Sequence, residues 1–501
     1  MNAVLVAVDG RTVKKPLRDE ASVVVVGSGP AGASVARHLA VRGVDVAVVE
    51  EGNEVKPTEF EASGIRAMAS LYRDMGTSLA FGNVSMPYLQ GRAVGGTSLI
   101  NGAISWRLPP NVVAEWLRAD PALGEALAYD AIAKAEERIE TRLHVHPTEE
   151  RIAGPKNLLL ARGASALGVA HRPIRRNVDG CVGAGQCLQG CPHGHKLSMD
   201  RSFLPDAVAA GARILSGMRA DRILVERGRA RAVTGVTAGG SRFDVRARHA
   251  VVLAASAIQT PCLLLQSGLR HGPVGRGLVG HPGVSVTGLF PEAVRAWAGA
   301  TQGHEVTGYR DEGIKLEALG FDLSILASRV PGVGASFARS LAQLDRYAVW
   351  GAAIRASGQG SVRPGPKRPM VFYSLTPDDV RKVRRAVRLL GDTLLAAGAT
   401  EVYPGVRGFD RAVRDRSTME RFEAQGSLVA SDYAMSMTHL FSTARMGSDP
   451  ATSVVRPDFR HHTTEGLYLA DSSVFPGSLG VNPQIAIMAL ADLCADRVAR
   501  R

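Results

Sequence analysis

The first residues that could do chemistry lie in a short turn. Gly27-Ser28-Gly29-Pro30-Ala31-Gly32 has the spacing G-x-G-x-x-G. Gly27 permits the tight bend, Gly29 lets the backbone approach a pyrophosphate, and Gly32 lets a helix pack closely on a strand. Glu50 can accept hydrogen bonds from a ribose diol, and Glu51 stands beside it as a second acid. A second glycine-rich stretch runs from Gly91 through Arg92, Gly95, Gly96, Thr97, Asn101 and Gly102 to Ala103. Near the C-terminus, His439 offers an imidazole suited to proton transfer near neutral pH, and Asn482 offers an amide that hydrogen-bonds but cannot act as a base. Cys181, Cys187 and Cys191 form a third cluster.

The elements around the first turn are the ones its chemistry requires. Val23 to Val26 is a β-branched run without polar alternation, which predicts a strand buried in a parallel sheet. A helical pattern follows, with Val35, Ala36, Leu39 and Ala40 on one side and Gly43 near its end. Val44 to Val49 predicts a second strand, which delivers Glu50. Strand, turn, helix, strand and terminal acid in register predict dinucleotide binding, with the helix N-terminus attracting phosphate. The terminal acid favours an unphosphorylated ribose and disfavours NADP. Leu467 to Ala470 predicts a short strand ending at Asp471. Asn482-Pro483-Gln484 opens a helix over Ile485 to Val498, with Pro483 suited to its first turn.

Composition bounds the remaining possibilities. The chain has 501 residues, 45% apolar and 21% charged, which predicts two or three domains and excludes large-scale disorder. Its net charge of +13 is spread along the chain. The densest basic run, Arg381 to Arg388, lies on a helix with Val380, Val383, Val387 and Leu390 on one face. A solvated helix face is expected there, and no nucleic-acid partner. No apolar run reaches the ~18 residues a membrane span needs. Met1 to Arg18 lacks the pattern of a secretory signal, and five cysteines do not make a disulfide scaffold, so the expected location is the cytoplasm.

The order of these motifs resembles the glucose-methanol-choline (GMC) oxidoreductases. Gly91 to Ala103 is similar to the family's first signature, a loop beside the flavin. Ser256-Ala257-Ile258-Gln259-Thr260-Pro261 through Leu269 is similar to the second, where the first place is more often Gly. Gly275 to Pro282 resembles the next element. Thr438-His439, Ala444 to Gly447, Leu467 to Pro476 and Gly480 to Gln484 match the C-terminal motifs in order. The resemblance is thin between Arg107 and Arg172 and between Leu289 and Ser436.

The resemblance implies an α/β fold: a Rossmann-like FAD domain, a parallel sheet with helices on both faces, plus a discontinuous α+β substrate domain. The expected FAD domain comprises residues 1–110, about 196–290 and 437–501. The substrate domain comprises 111–195, including the Cys-rich segment 181–192, and 291–436. The implied cofactor is FAD, held by the Gly27–Gly32 turn, Glu50, Glu51, the Gly91–Ala103 loop, Ala220, Ala255, Asp471, Asn482, Pro483 and Gln484. Asn101 lies where some members carry a flavin-linking His, so non-covalent FAD is expected. The helix opening at Asn482-Pro483 can aim N–H groups at a flavin carbonyl that gains negative charge on reduction.

The implied reaction is oxidation of a small-molecule alcohol to an aldehyde or ketone, by hydride transfer to flavin with His439 as general base. Asn482 hydrogen-bonds the substrate oxygen. This His/Asn pairing resembles the choline and cholesterol oxidase-like branches. The expected substrate is a polar sugar, aminoglycoside or other natural-product alcohol. The alternatives are a lipophilic sterol or long-chain alcohol, or electron transfer with no alcohol substrate. The electron acceptor is O2 or another oxidant, and the oligomeric state is open. His281, His461 and His462 read as structural.

The cysteine segment matches the ferredoxin run C-x2-C-x2-C-x3-C-P except that Ala184 replaces the second Cys. Similar insertions occur in a branch of GMC-like proteins. With three thiolates left, a structural loop with reduced thiols or one disulfide is expected, and no metal. His193 and His195 are the residues that could complete a mixed site. Cys262 and Cys494 read as helix packing residues.

Overall fold

A computed structural model describes residues 5–500. Met1 to Val4, the start of the N-terminal stretch read above, and Arg501 lie outside the described residues. Two sheets organise the chain. In the first, the parallel strands Val8–Asp9, Arg213–Ser216, Val46–Val49, Leu17–Val26 and Arg242–Leu253 lie side by side. Arg229–Thr237 and Met218–Glu226 extend the sheet antiparallel, and Leu467–Leu469 pairs parallel with the end of Arg242–Leu253. Val23 to Val26 are buried between their neighbouring strands, with the helix Pro30–Ala40 packed against them. Each such valine contributes roughly 1.5–3 kcal/mol of apolar burial.

The helix Pro30–Ala40 packs against the C-terminal helix Gln484–Ala499. His38 fastens the two, with Nδ1 2.5 Å from Asp492 and Nε2 2.8 Å from Asp496. Gln484–Ala499 is buried almost all round, through Ile485, Ala486, Met488, Ala489 and Leu490. Pro483 sits at its N-cap, one place earlier than the sequence suggests.

The second sheet is larger and mostly antiparallel. Its long strand Arg276–Leu289 pairs with Tyr347–Ile354, Gly360–Arg363, Glu401–Tyr403 and Met435–Phe441. Ile314–Leu319 pairs with Tyr347–Ile354 on its other side. The helix Pro377–Ala396 covers this sheet with Val383, Ala386, Val387 and Leu390. On its outer side Arg385 pairs with Glu312 and Glu423, and Arg388 with Asp392, so the basic run is largely neutralised by its own neighbours. Leu79–Phe81, Arg276–Leu289 and Met435–Phe441 thus belong to the second sheet while adjoining the first layer in sequence. No helix among the described residues is long and apolar enough to cross a membrane.

Candidate active site

A cavity of about 670 Å³ lies where the two sheets meet. Its wall begins at the first βα turn. Gly27 takes φ +100°, and a Cβ there would lie 2.5 Å from the Ala254 carbonyl oxygen. A Cβ on Gly32 would lie 1.8 Å from the Gly27 carbonyl oxygen, so only glycine permits this helix-to-strand approach. Gly29 differs: its Cβ would meet only Gly96 Cα, at 3.9 Å, and otherwise points into open space. The Pro30–Ala40 helix has no side-chain cap, so its first N–H groups face the cavity unpaired by a side chain.

Glu50 braces this turn. One carboxylate oxygen accepts from Ser28 N at 2.9 Å and Ser28 Oγ at 2.7 Å, and the other accepts from Gly52 N at 2.6 Å. Burial pushes its pKa up against those three donors. The Ser28 hydroxyl also accepts from Gly95 N at 2.9 Å, which ties the two glycine-rich loops together. Glu51 is paired with Arg73 at 2.7 Å.

Gly27, Gly29, Pro30, Ala31, Glu50, Glu51, Gly91, Arg92, Gly96, Thr97, Asn101, Gly102, Ala220, Ala255, Asp471, Asn482, Pro483 and Gln484 all border the cavity. Ser28, Gly32, Gly95 and Ala103 stand behind its wall. Asn101 donates to Gln484 Oε1 at 2.5 Å and accepts from Ala103 N at 3.0 Å. Asp471 pins the start of the Ser256–Gln266 helix, accepting from Ser256 N at 3.0 Å and Thr260 Oγ1 at 2.5 Å. Ser256 takes φ +93°, in the left-handed region, which accounts for the glycine more usual at that place.

His439 and Asn482 come together from a strand of the second sheet and from the segment that leads into the C-terminal helix. His439 lies on Met435–Phe441, and Asn482 just before the C-terminal helix; Nε2 and Nδ2 are 3.5 Å apart. Asn482 Oδ1 accepts from Lys315 Nζ at 2.5 Å, which turns its amide nitrogen toward His439. Lys315 is ion-paired with Glu317 at 2.9 Å and Glu305 at 3.3 Å. Burial pulls the pKa of Lys315 down, but these carboxylates outweigh it and hold the ammonium above its usual range. The His439 ring borders the cavity and is enclosed by protein elsewhere. That burial, followed by the Lys315 charge, pushes its pKa down to about 3, so the imidazole is neutral.

The second nitrogen of His439 is also occupied. His281 Nδ1 lies 2.9 Å from His439 Nδ1, while His281 Nε2 accepts from Gly480 N at 2.9 Å. Burial, then His439, keep His281 neutral. A neutral His281 that accepts at Nε2 carries its hydrogen on Nδ1 and donates it to His439. His439 then carries hydrogen on Nε2. Two N–H donors, His439 Nε2 and Asn482 Nδ2, face one spot with no acceptor between them.

Sequence reasoning missed His281, Lys315, Glu317 and Gln302, of which Glu317 and Gln302 border the cavity. The Gly-Pro-rich stretch Gly358 to Pro369 reads from sequence as a turn between strands, and Pro364 to Pro369 does join Gly360–Arg363 to Met370–Tyr373; that this turn reaches the cavity carried no sequence signal. A signal existed for His281, inside the Gly275 to Pro282 motif. None existed for Glu317. The side chains of Gln90, Gln259 and Gln484 border the cavity with a buried polar atom lacking any partner, as expected where a polar group binds.

The chain is similar to known proteins along nearly its whole length. The family model "GMC oxidoreductase" matches residues 25–283 with its N-terminal part and 357–491 with its C-terminal part. A GMC-type oxidoreductase of Mycobacterium tuberculosis is 37% identical over 97% of this chain and 77% of its own. A long-chain-alcohol oxidase of Arabidopsis thaliana is 29% identical over 96% of this chain and 69% of its own. The crystal structure of pyridoxine 4-oxidase from Mesorbium loti superposes with a TM-score of 0.71 at 18% identity, covering 95% of this chain and 98% of that one. Formate oxidase of Aspergillus oryzae superposes at 0.69 with 16% identity, over 96% and 98%. With both parts of the family model matched and a relative at this identity along the whole length, the chain belongs to the GMC oxidoreductase family.

Proposed function

We propose that this protein is an FAD-dependent oxidoreductase that converts an alcohol to an aldehyde or ketone, with the reacting oxygen held by His439 and Asn482. The observation that carries the reading is the pair of N–H donors 3.5 Å apart, facing the cavity with no acceptor between them. An alcohol oxygen, which accepts two hydrogen bonds, fits that spot. The cavity wall fits FAD. The open approach at Gly29, the uncapped helix start and the unpartnered glutamine atoms suit a pyrophosphate and a polar ring system. The Gly27–Gly32 turn, Glu50, the Gly91–Ala103 loop, Ala220, Ala255 and Gln484 would hold it non-covalently. Bound there, FAD supplies a two-electron acceptor for the hydride. In this reading an FAD domain is assembled from three stretches and a substrate domain from two, with Leu79–Phe81 and Arg276–Leu289, which the sequence assigns to the FAD domain, lying in the second sheet instead.

The residues of the chain then act on one bond. His439 and Asn482 orient the hydroxyl and stabilise negative charge as it develops on oxygen, with Lys315 behind Asn482 reinforcing that field. In the reading from sequence, His439 also takes the hydroxyl proton. For that it must first shift its own hydrogen from Nε2 to Nδ1, against the Gly480 to His281 bond. That bond favours a second reading in which the Glu317 carboxylate accepts the proton while His439 remains a donor. E317Q and H439Q, compared for flavin reduction by alcohol, separate the two. The larger loss marks the base, by ~10²-fold or more.

Gln302, Glu317 and Thr438 border the cavity, which supports a polar alcohol. The long-chain-alcohol oxidases among the relatives favour a lipophilic one. Purified protein should be yellow and release intact FAD on denaturation. NAD(H) alone, with no flavin site, would overturn the reading.

A further inference from the structure

The Cys-rich segment encloses a charge with no ordinary counter-ion. Arg176 is fully buried, yet it makes no ion pair with a carboxylate among the described residues. Its Nε reaches the Gly102 carbonyl only at 3.4 Å. Its two remaining arms end on sulfur: Nη2 on Cys187 at 3.1 Å and Nη1 on Cys181 at 3.7 Å. A guanidinium stays protonated in proteins, and a buried unpaired charge costs several kcal/mol at least. The groups able to become an anion beside it are these thiols. Lys196, also buried, stands on the other side and donates to the carbonyls of Cys187, Leu99 and Asn101 at 2.7, 2.6 and 3.1 Å. The charged and titratable groups facing Cys187 are thus Arg176, Lys196 and the buried Lys156, with Cys181, Cys191 and Asp200 beyond them. Burial pushes the Cys187 thiol up, and Arg176 followed by Lys196 outweigh it. All five cysteines are free, so no disulfide occupies the sulfur.

We propose that Cys187, buried with 9% of its surface exposed, is held as a thiolate by Arg176 and is a modification site of this protein, reactive toward an oxidant as small as peroxide. In the step, the sulfur attacks one peroxide oxygen, an S–O bond forms and the O–O bond breaks. Sulfur loses two electrons to peroxide, and hydroxide leaves and takes a proton to become water. The product is a neutral sulfenic acid. Oxidation withdraws the negative charge from beside the two cations that hold the Leu99 to Gly102 backbone along the cavity. Cys262 and Cys494 supply internal controls: burial raises both, Cys262 to about 12 and Cys494 further, with no cation beside either sulfur.

The test treats the purified full-length protein with hydrogen peroxide and the sulfenic-acid trap dimedone between pH 5.5 and 9, then locates adducts by peptide mass spectrometry. We expect adduct on Cys187 at pH 6 with a shallower rise toward pH 9 than an ordinary thiol gives, and none on Cys262 or Cys494. An ordinary thiol near pKa 8.5 instead gains roughly tenfold in thiolate per unit over the acidic part of this range. R176M should slow the reaction of Cys187 at pH 6 by about tenfold or more, and R176K, which keeps the charge, by less. The wild-type profile decides even if R176M fails to fold. A Cys187 profile that climbs like an ordinary thiol, no adduct on Cys187 at any pH, or stoichiometric iron bound to the cysteines would overturn the proposal.

Discussion

Two glycines three residues apart, Gly29 and Gly32, should respond to the same methyl group in opposite ways. At Gly32 the added Cβ would sit 1.8 Å from the Gly27 carbonyl oxygen, and the backbone on both sides must move. G32A should therefore destabilise the fold by about 3 kcal/mol or more. At Gly29 the Cβ meets nothing closer than 3.9 Å, and φ −66° with ψ −172° suits alanine. G29A should stay within about 1 kcal/mol of wild type, a small loss at the N-cap set against a less flexible unfolded chain. Its methyl nevertheless fills the approach a pyrophosphate needs. Pushing phosphate back by about 1 Å weakens two charge-assisted N–H bonds worth ~1.5–3 kcal/mol each. That is ~3–6 kcal/mol, or about 10²- to 10⁴-fold in FAD affinity. Apo-protein melting by circular dichroism, and FAD titration by flavin fluorescence, measure the two effects separately. Wild-type FAD affinity in G29A would refute the assignment of this turn to the pyrophosphate.

Other outcomes follow from the same geometry. Because burial depresses His439 to about 3, protonation of this imidazole should not reduce alcohol-driven flavin reduction between pH 6 and 8; an acid limb near 6.5 that vanishes in H439N would contradict that. At Ser256, φ +93° strains any side chain, and S256A and S256G both lack the hydroxyl, so S256G should be the more stable of the two by about 1–2 kcal/mol in denaturant unfolding. Replacing Cys181, Cys187 and Cys191 together by Ser should lower stability and keep alcohol-driven flavin reduction, with no iron or sulfide in anaerobically purified wild type. Stoichiometric iron, or loss of reduction in a folded triple variant, would reverse the reading of that segment.

What the sequence made legible followed from local periodicity. Val23 to Glu50 could be placed because a buried strand, a glycine turn and a helix each leave a short-range pattern, and the sheet pairs Val23 with Val46 as that pattern requires. His439 and Asn482 stood out through their motifs. Lys315 and Glu317 did not, because they reach the site only through antiparallel pairing of Ile314–Leu319 with Tyr347–Ile354, and of that strand with Arg276–Leu289. Nothing local in Ile314 to Leu319 marks which alternate residues face the cavity. Met435–Phe441 is a similar case: its motif identifies the histidine, but its sheet is set by partners more than 150 residues earlier, such as Val279 opposite Phe441. Arg176 was invisible for another reason. One arginine among many carries no sign that it will be buried between two sulfurs.

The central claim is that an alcohol is oxidised at the His439 and Asn482 pair. The most direct measurement is anaerobic mixing of the flavin-loaded protein with a panel of polar and long-chain alcohols, following the bleaching of flavin absorbance. This readout needs no knowledge of the electron acceptor. An alcohol in the panel should bleach the wild-type flavin. H439A should retain flavin and slow bleaching by ~10²-fold or more, and N482A by less. If no alcohol bleaches a flavin that dithionite readily reduces, or if H439A bleaches at the wild-type rate, the assignment of this site is wrong.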